Sequence, residues 1–262
     1  MTSLTFEDHC RAIVDQTDLL RTEAADADPT TPVPSCPGWD LGRLLRHVGG
    51  DHRWAEAIVR TRSAEPLPDD GVNDPAVYAH VDGEALDAWL GEGASELAAA
   101  LRDAGPGVPV WTPADEQLVE QSTSFWARRM THETVVHRAD AVLATGGRFT
   151  LDEGLAVDGV EEWLDFSTVP EAYEPGPDAP GLLGPGRTLS FEATGAGQWL
   201  VDLTGARPLW RPGVGDAAVS VRGSATDLLL FLYRRPTPAV ETDGDTALLD
   251  RWLTRTGFWL EL

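Results

Sequence analysis

The sequence contains no lysine: all twenty basic residues are arginine. That absence excludes the Schiff-base lysine of pyridoxal and aldolase chemistry and the P-loop lysine of Walker-type NTPases. Cysteine is almost as scarce. Cys10 and Cys36 are too few for a disulfide framework or a cysteine-rich zinc site, and they fit a reducing compartment. No apolar run approaches the roughly 18 residues of a membrane span. The opening MTSLTFEDHC lacks the basic and apolar regions of a secretory signal, so a cytoplasmic location is expected. Positive charge is also in short supply: 43 acidic residues against 20 basic ones leave a formal charge of -23. Such a surface repels phosphate backbones and anionic lipid, so neither a nucleic-acid nor a membrane partner is expected.

What is present is an ordinary globular balance, 42% hydrophobic and 24% charged over 262 residues, enough for two domains each with its own core. Residues 4 to 26 carry Leu4, Phe6, Cys10, Ile13, Val14, Leu19 and Leu20 in a helical pattern. The stretch PTTPVPSCPGWD, with four prolines, cannot continue that helix, and Asp40 then offers an N-cap to a second one. There Leu41, Leu44, Leu45 and Val48 share a face. A third helix is predicted over 83–103, a fourth over 118–144 and a shorter one over 152–167. The fold class expected is therefore α+β in two domains: a four-helix bundle over 1–168, a Pro- and Gly-rich linker over 169–186, and a small α/β domain over 187–262. In that last part TLSFEAT, QWLVDLT, RPLWRPG and AAVSVRG read as strands, and ATDLLLFLYRR and DTALLDRWLTR as helices.

The fourth helix carries the most chemistry. Glu133 and His137 are four residues apart, which at about 100° per residue stacks them one turn above the other. His132 and His137, five apart, lie about 140° apart around the axis and cannot chelate together, so the zincin metalloprotease arrangement is excluded. Trp126, Met130, Glu133 and His137 form the stripe that would face a bundle core. A buried carboxylate and imidazole need partners. A satisfied Glu-His hydrogen bond, or an ion pair with a nearby arginine, is the plainer account. The inward edge position of His47 on the second helix supports a metal set of two histidines and one glutamate, with positions left open for water or substrate. Arg129, four before Glu133, could orient it, although Arg128 and Arg129 most simply solvate the outer face. Cys36 is read as a small packing residue, Trp39 as a hydrophobic staple, and His52 as a surface histidine.

The segment TPVPSCPGWDLGRLLRHVGGDHRW resembles the start of the second helix in the mycothiol-dependent maleylpyruvate isomerase family, among the DinB-like metal-binding four-helix bundles. The family's second signature, Glu-x-x-x-His, is matched by Glu133 and His137, followed by Arg138, Ala139 and Asp140. The C-terminal part is similar to the family's sterol-carrier-like α/β module. In it GSATDLLLFLYRR matches a helix motif that ends in Gly-Arg, with Arg234 standing where the glycine is expected.

The resemblance implies a divalent metal, zinc by expectation, held by His47, Glu133 and His137. It implies mycothiol as thiol cosubstrate and Arg235 as a catalytic and cofactor-binding residue, with Arg222 a weaker cofactor-binding candidate. The implied activity is an isomerase or S-transferase in which a metal-bound thiolate adds to an electrophilic small molecule, maleylpyruvate isomerisation being the family's named reaction. The alternatives are a non-catalytic metal- or ligand-binding module and a thiol-independent metal-dependent hydrolase. The partners implied are the small-molecule electrophile and mycothiol, with the protein a monomer or weak homo-oligomer.

Overall fold

A computed structural model describes residues 4–69, 75–113, 121–174, 181–237 and 239–260. Its chain divides into two compact units, Leu4–Phe149 and Thr150–Leu262. No helix among the described residues is long and apolar enough to cross a membrane.

The first unit is built on four long helices: α1 (Phe6–Ala24), α2 (Leu41–Thr61), α3 (Gly83–Ala104) and α4 (Thr123–Ala144). The segment expected to open the fourth helix at 118–120 lies outside the described residues. Each start has a local cause. Thr5 and Asp8 form a reciprocal capping box on α1, Asp40 accepts from the Arg43 amide on α2, and Ser122 caps α4. Helix α1 packs on α4 and α3, and α2 packs on α3 and α4, so α2 and α4 are neighbours in the ring. Leu20, Leu41, Leu44, Val48, Leu86 and Leu90 meet in one buried cluster. Each such leucine, fully buried, contributes about 1.5–3 kcal/mol of transfer free energy.

The proline-rich stretch between α1 and α2 is a hydrogen-bonded loop. Val33 and Trp39 pair through the backbone at 3.0 Å, and the Trp39 amide closes a turn on the Cys36 carbonyl at 3.0 Å. Gly38 sits at φ 84°, in the left-handed region, which a side chain would strain. The CPGW run is therefore the turn that returns the chain to the start of α2.

The second unit begins with α5 (Glu153–Phe166), followed by the helical turn α6 (Pro170–Tyr173), α7 (Ala225–Leu232) and α8 (Thr246–Thr256) around five strands. The sequence reading groups α5 with the bundle. It belongs instead to this unit, because it packs against α7. Of the expected linker, residues 175–180 lie outside the described ones, and Pro170–Tyr173 is helical.

The sheet runs β3 (Leu209–Pro212), β2 (Gly197–Asp202), β1 (Thr188–Ala193), β4 (Val219–Gly223), β5 (Glu241–Gly244), with β1 and β4 parallel and the other pairs antiparallel. Burial alternates along β1 and β4, so Leu189, Phe191 and Ala193 share the inner face with Val219 and Val221. The first four strands coincide with the predicted ones. Strand β5, with the sequence ETDG, escapes sequence reading because all four residues are exposed and none is apolar.

Gly49 on α2 is a close-approach position: a Cβ there would land on the ring of Trp89, which stacks under the Arg53 guanidinium at 3.9 Å. Gly49→Ala is expected to lower stability by about 1–3 kcal/mol through overpacking, despite alanine's better helix propensity. The urea midpoint followed by tryptophan fluorescence checks this, and an unchanged or raised midpoint would refute the packing account.

Candidate metal centre

The adjacency of α2 and α4 sets His47 against Glu133 and His137. Glu133 Oε1 lies 2.9 Å from His137 Nε2 and 3.3 Å from His47 Nε2. The three donor atoms fall within 4.8 Å of one another. The imidazole rings of His47 and His137 meet edge to face with centroids 4.9 Å apart. Both histidines are buried, while the Glu133 side chain is partly open to solvent.

The surrounding groups fix these three. Arg129 Nη2 donates to Glu133 Oε2 at 3.1 Å, leaving Oε1 to face the histidines. His137 Nδ1 is 2.9 Å from Oδ2 of Asp140, which is fully buried. That contact orients the ring with Nε2 towards Glu133. Cys36 Sγ donates to the same Asp140 oxygen at 3.4 Å. Trp39 walls the site, its ring centroid 4.9 Å from that of His47 and 6.0 Å from that of His137. Asp51, one turn after His47, places Oδ2 3.2 Å from His47 Nε2.

Several sequence readings are corrected by this geometry. Arg129 is buried against Glu133 instead of solvating an outer face. His52 is buried at 1% exposure, with Nε2 2.8 Å from Thr134 Oγ1, and is no surface residue. Cys36 and Trp39 border the site as well as packing. Asp51 was not singled out, although His-x-x-x-Asp on a helix repeats the spacing of Glu133 and His137. His132 is buried away from the three donors, its ring edge-on to His9 at 6.0 Å.

In the second unit, Arg235 is buried and its Nη1 donates to the Tyr233 carbonyl at 2.8 Å. Arg234 is exposed and has φ 61°, the left-handed conformation that suits the glycine expected there. Arg222 is largely exposed and pairs with Glu192 at 3.0 Å, its cross-strand neighbour in the β1–β4 register.

Electrostatics bind the first-unit cluster into one network. Burial opposes charge on both imidazoles, yet both pKa values rise. For His47 the charge of Asp51 and the bond to Glu133 win; for His137 the charge of Glu133 and the bonds to Asp140 and Cys36 win. Burial opposes ionisation of Glu133 too, but the two histidines and Arg129 hold it well below the carboxylate range. Asp51 goes the other way: burial pushes it up to about 7, with His47 offsetting only part of the shift.

This donor set fits a divalent ion. His47 Nε2 faces the Glu133 and Asp51 oxygens at similar distances, so in the metal-free protein its one proton is shared between two carboxylates. His137 faces Asp140 through Nδ1 and Glu133 through Nε2, so in the metal-free protein a doubly protonated ring bridges the two carboxylates, and a cation would take the place of the Nε2 proton. Zinc–nitrogen and zinc–oxygen bonds of roughly 2.0–2.1 Å at tetrahedral angles set neighbouring donors about 3.3 Å apart. The observed separations of 2.9 Å and 3.3 Å are close to that edge.

With this geometry in place, the comparisons are specific. A family model described as the mycothiol maleylpyruvate isomerase N-terminal domain matches residues 10–142, and one described as the MDMPI C-terminal domain matches residues 154–251. The chain belongs to the mycothiol-dependent maleylpyruvate isomerase family.

Among solved structures, one described as the mycothiol-dependent maleylpyruvate isomerase aligns with a TM-score of 0.63 at 17% identity, covering 93% of this chain and 96% of that one. A histidine-to-alanine mutant of such an enzyme aligns at 0.62 and 16%, with the same coverage. At that identity the two structures speak for the fold. A search of curated proteins returned no match.

The network has a pH signature in the metal-free protein. Asp51, His47 and His137 hold protons more tightly when folded than when unfolded. Their contribution falls as pH rises: for Asp51 from the ordinary carboxylate range to about 7, for the histidines from the ordinary imidazole value upward. Glu133 contributes above the ordinary carboxylate range and loses that only as pH falls through its lowered value. Chelator-treated protein should therefore lose thermal stability from about pH 5 to about pH 8, and Asp51→Asn should flatten the part of the slope below about pH 7. Thermal melts of both proteins across that range measure it, and a wild-type stability that rises with pH would contradict the assignment.

Proposed function

We propose that this chain is a metal- and mycothiol-dependent isomerase or S-transferase acting on an electrophilic small molecule, with maleylpyruvate-type cis-trans isomerisation as the reference reaction. The observation that carries this reading is the convergence of His47, Glu133 and His137 in a chain that belongs to this family. These three residues would hold a divalent metal, zinc being what the family resemblance implies. When bound, that ion supplies the positive charge that keeps a coordinated thiol in its thiolate form at neutral pH.

The protein's own residues do the rest. Asp140 holds the Nδ1 proton of His137 and so keeps Nε2 free as a donor. Arg129 pins one Glu133 oxygen and offsets its charge. Trp39 shields the cluster from solvent on the side of the CPGW turn. The cosubstrate thiol would add to a polarised double bond, rotation would follow about the new single bond, and expulsion of the same thiol would restore the double bond in the other geometry. Where the electrophile carries a leaving group, the thiol would stay attached and the outcome is transfer.

The thiol also explains how a chain without lysine could run a covalent mechanism: the nucleophile is borrowed. A low-molecular-weight thiol cosubstrate fits a reducing, cytoplasmic setting. Arg235 is the proposed contact for an anionic group of substrate or cofactor, since the chain as a whole repels anions.

Two experiments test this reading. Metal analysis of protein purified without chelator should find about one zinc per chain in the wild type and a loss of most of it in His47→Ala, together with loss of thiol-dependent turnover. Full metal content in the variant, or turnover without any thiol, would defeat the reading, and the latter result would favour a hydrolase. For Arg235→Ala, kcat/KM for a dicarboxylate electrophile should fall about 10- to 100-fold with zinc content unchanged. A variant with a lowered melting temperature and unaltered kinetics would assign Arg235 to structure alone.

A further inference from the structure

Two buried carboxylates touch the two imidazoles, and they touch them on opposite sides. Asp140 meets His137 at Nδ1, the nitrogen turned away from Glu133. This is where an orienting carboxylate belongs. Asp51 meets His47 at Nε2, the nitrogen that faces Glu133. It therefore lies on the side where the three donors converge, yet it is not within the 4.8 Å cluster they form. Its Oδ1 has no hydrogen-bond partner among the described residues, although Asp51 is only 4% exposed. An ionised carboxylate left in that state is costly. If His47 Nε2 binds an ion, its proton is gone and Oδ2 loses its neighbour as a donor too.

The His47–Asp51 pair repeats on α2 the one-turn spacing of Glu133–His137 on α4. Two helices thus present two such pairs to one space, and Asp51 stands outside the group of three donors while contacting one of them, His47 Nε2, at 3.2 Å. A carboxylate there is placed to accept from whatever occupies the position left open by His47, Glu133 and His137.

We propose that Asp51 is a specificity-determining residue: its carboxylate accepts the hydrogen bond of a protic ligand as that ligand enters the open metal position, so a thiol arrives with its proton and passes it to Asp51 as the S–H bond breaks on coordination, water is admitted in the same way, and anions that bring no proton are excluded. The inference rests on the metal reading above. It concerns the class of ligand that the position selects, and it gives the orphaned Oδ1 a partner. It also distinguishes the two acids: Asp140 acts through His137, whereas Asp51 touches the incoming group itself. Other charges facing this space are Glu133, His137 and Arg129 from α4, and Arg129 is already engaged by Glu133.

The test uses the full chain stripped by chelator and reloaded with Co²⁺, whose visible absorption reports its ligands. Wild type, Asp51→Asn, Asp51→Ala and His47→Ala are titrated with azide, an anion without a proton, and with 2-mercaptoethanol, a neutral thiol. In both Asp51 variants azide should bind at least about tenfold more tightly than in the wild type, because a like charge has been removed. The thiol should bind about tenfold more weakly in Asp51→Ala, because its acceptor is lost. A residue with only a structural role would move both affinities in the same direction. Unchanged affinities, or parallel shifts, in variants that still show the Co²⁺ spectrum would overturn the role of Asp51 and leave the metal centre standing. Absence of a His47-dependent Co²⁺ spectrum in the wild type would overturn the metal reading, and this inference with it.

Discussion

A single carboxylate, Glu133, holds the first unit's chemistry together. One of its oxygens faces two imidazoles and the other is held by a buried arginine. Each of these groups would be costly to bury alone, and together they form a network in which every member's charge state depends on its neighbours. The network needs α2 and α4 side by side, and the leucine cluster on α2 with the packing of α1 and α3 supplies that frame. The CPGW turn delivers Trp39 and Cys36 to the same end of the bundle.

Much of this was legible in the sequence because helix periodicity is strict. His47, Glu133 and His137 could be set on inward faces from spacing alone, and the proline run fixed where α2 begins. Four strands were legible from their apolar alternation. What escaped did so for identifiable reasons. β5 has no apolar residue to betray it, and the parallel pairing of β1 with β4 is a long-range fact that no local pattern encodes. α5 reads as one more amphipathic helix, and only its packing on α7 reveals which unit it joins.

The misread polar residues share one cause. α4 is buried along most of its length, so the outer face assumed for Arg129 does not exist. The same assumption of an exposed far side put His52 on the surface, whereas it bonds Thr134 across the α2–α4 contact. In a helix buried nearly all round, polarity marks partners and not solvent. Asp51 was overlooked for want of that rule, since an acid in a chain with 43 acidic residues attracts no notice. The φ of Arg234 shows the converse, a backbone demand that the residue type conceals but the family pattern reveals.

The described donors and their supports, His47, Asp51, Arg129, Glu133, His137 and Asp140, all come from α2 and α4, while α1 and α3 supply packing. Labour within the bundle is thus divided by helix. Two rods carry the candidate donor groups, and two pack against them and hold them in place. Scaffolding of that kind can drift far in sequence, or be reshaped to admit a different substrate, without disturbing a donor atom. Such a partition would let one lineage keep a single reactive core while changing what it is offered.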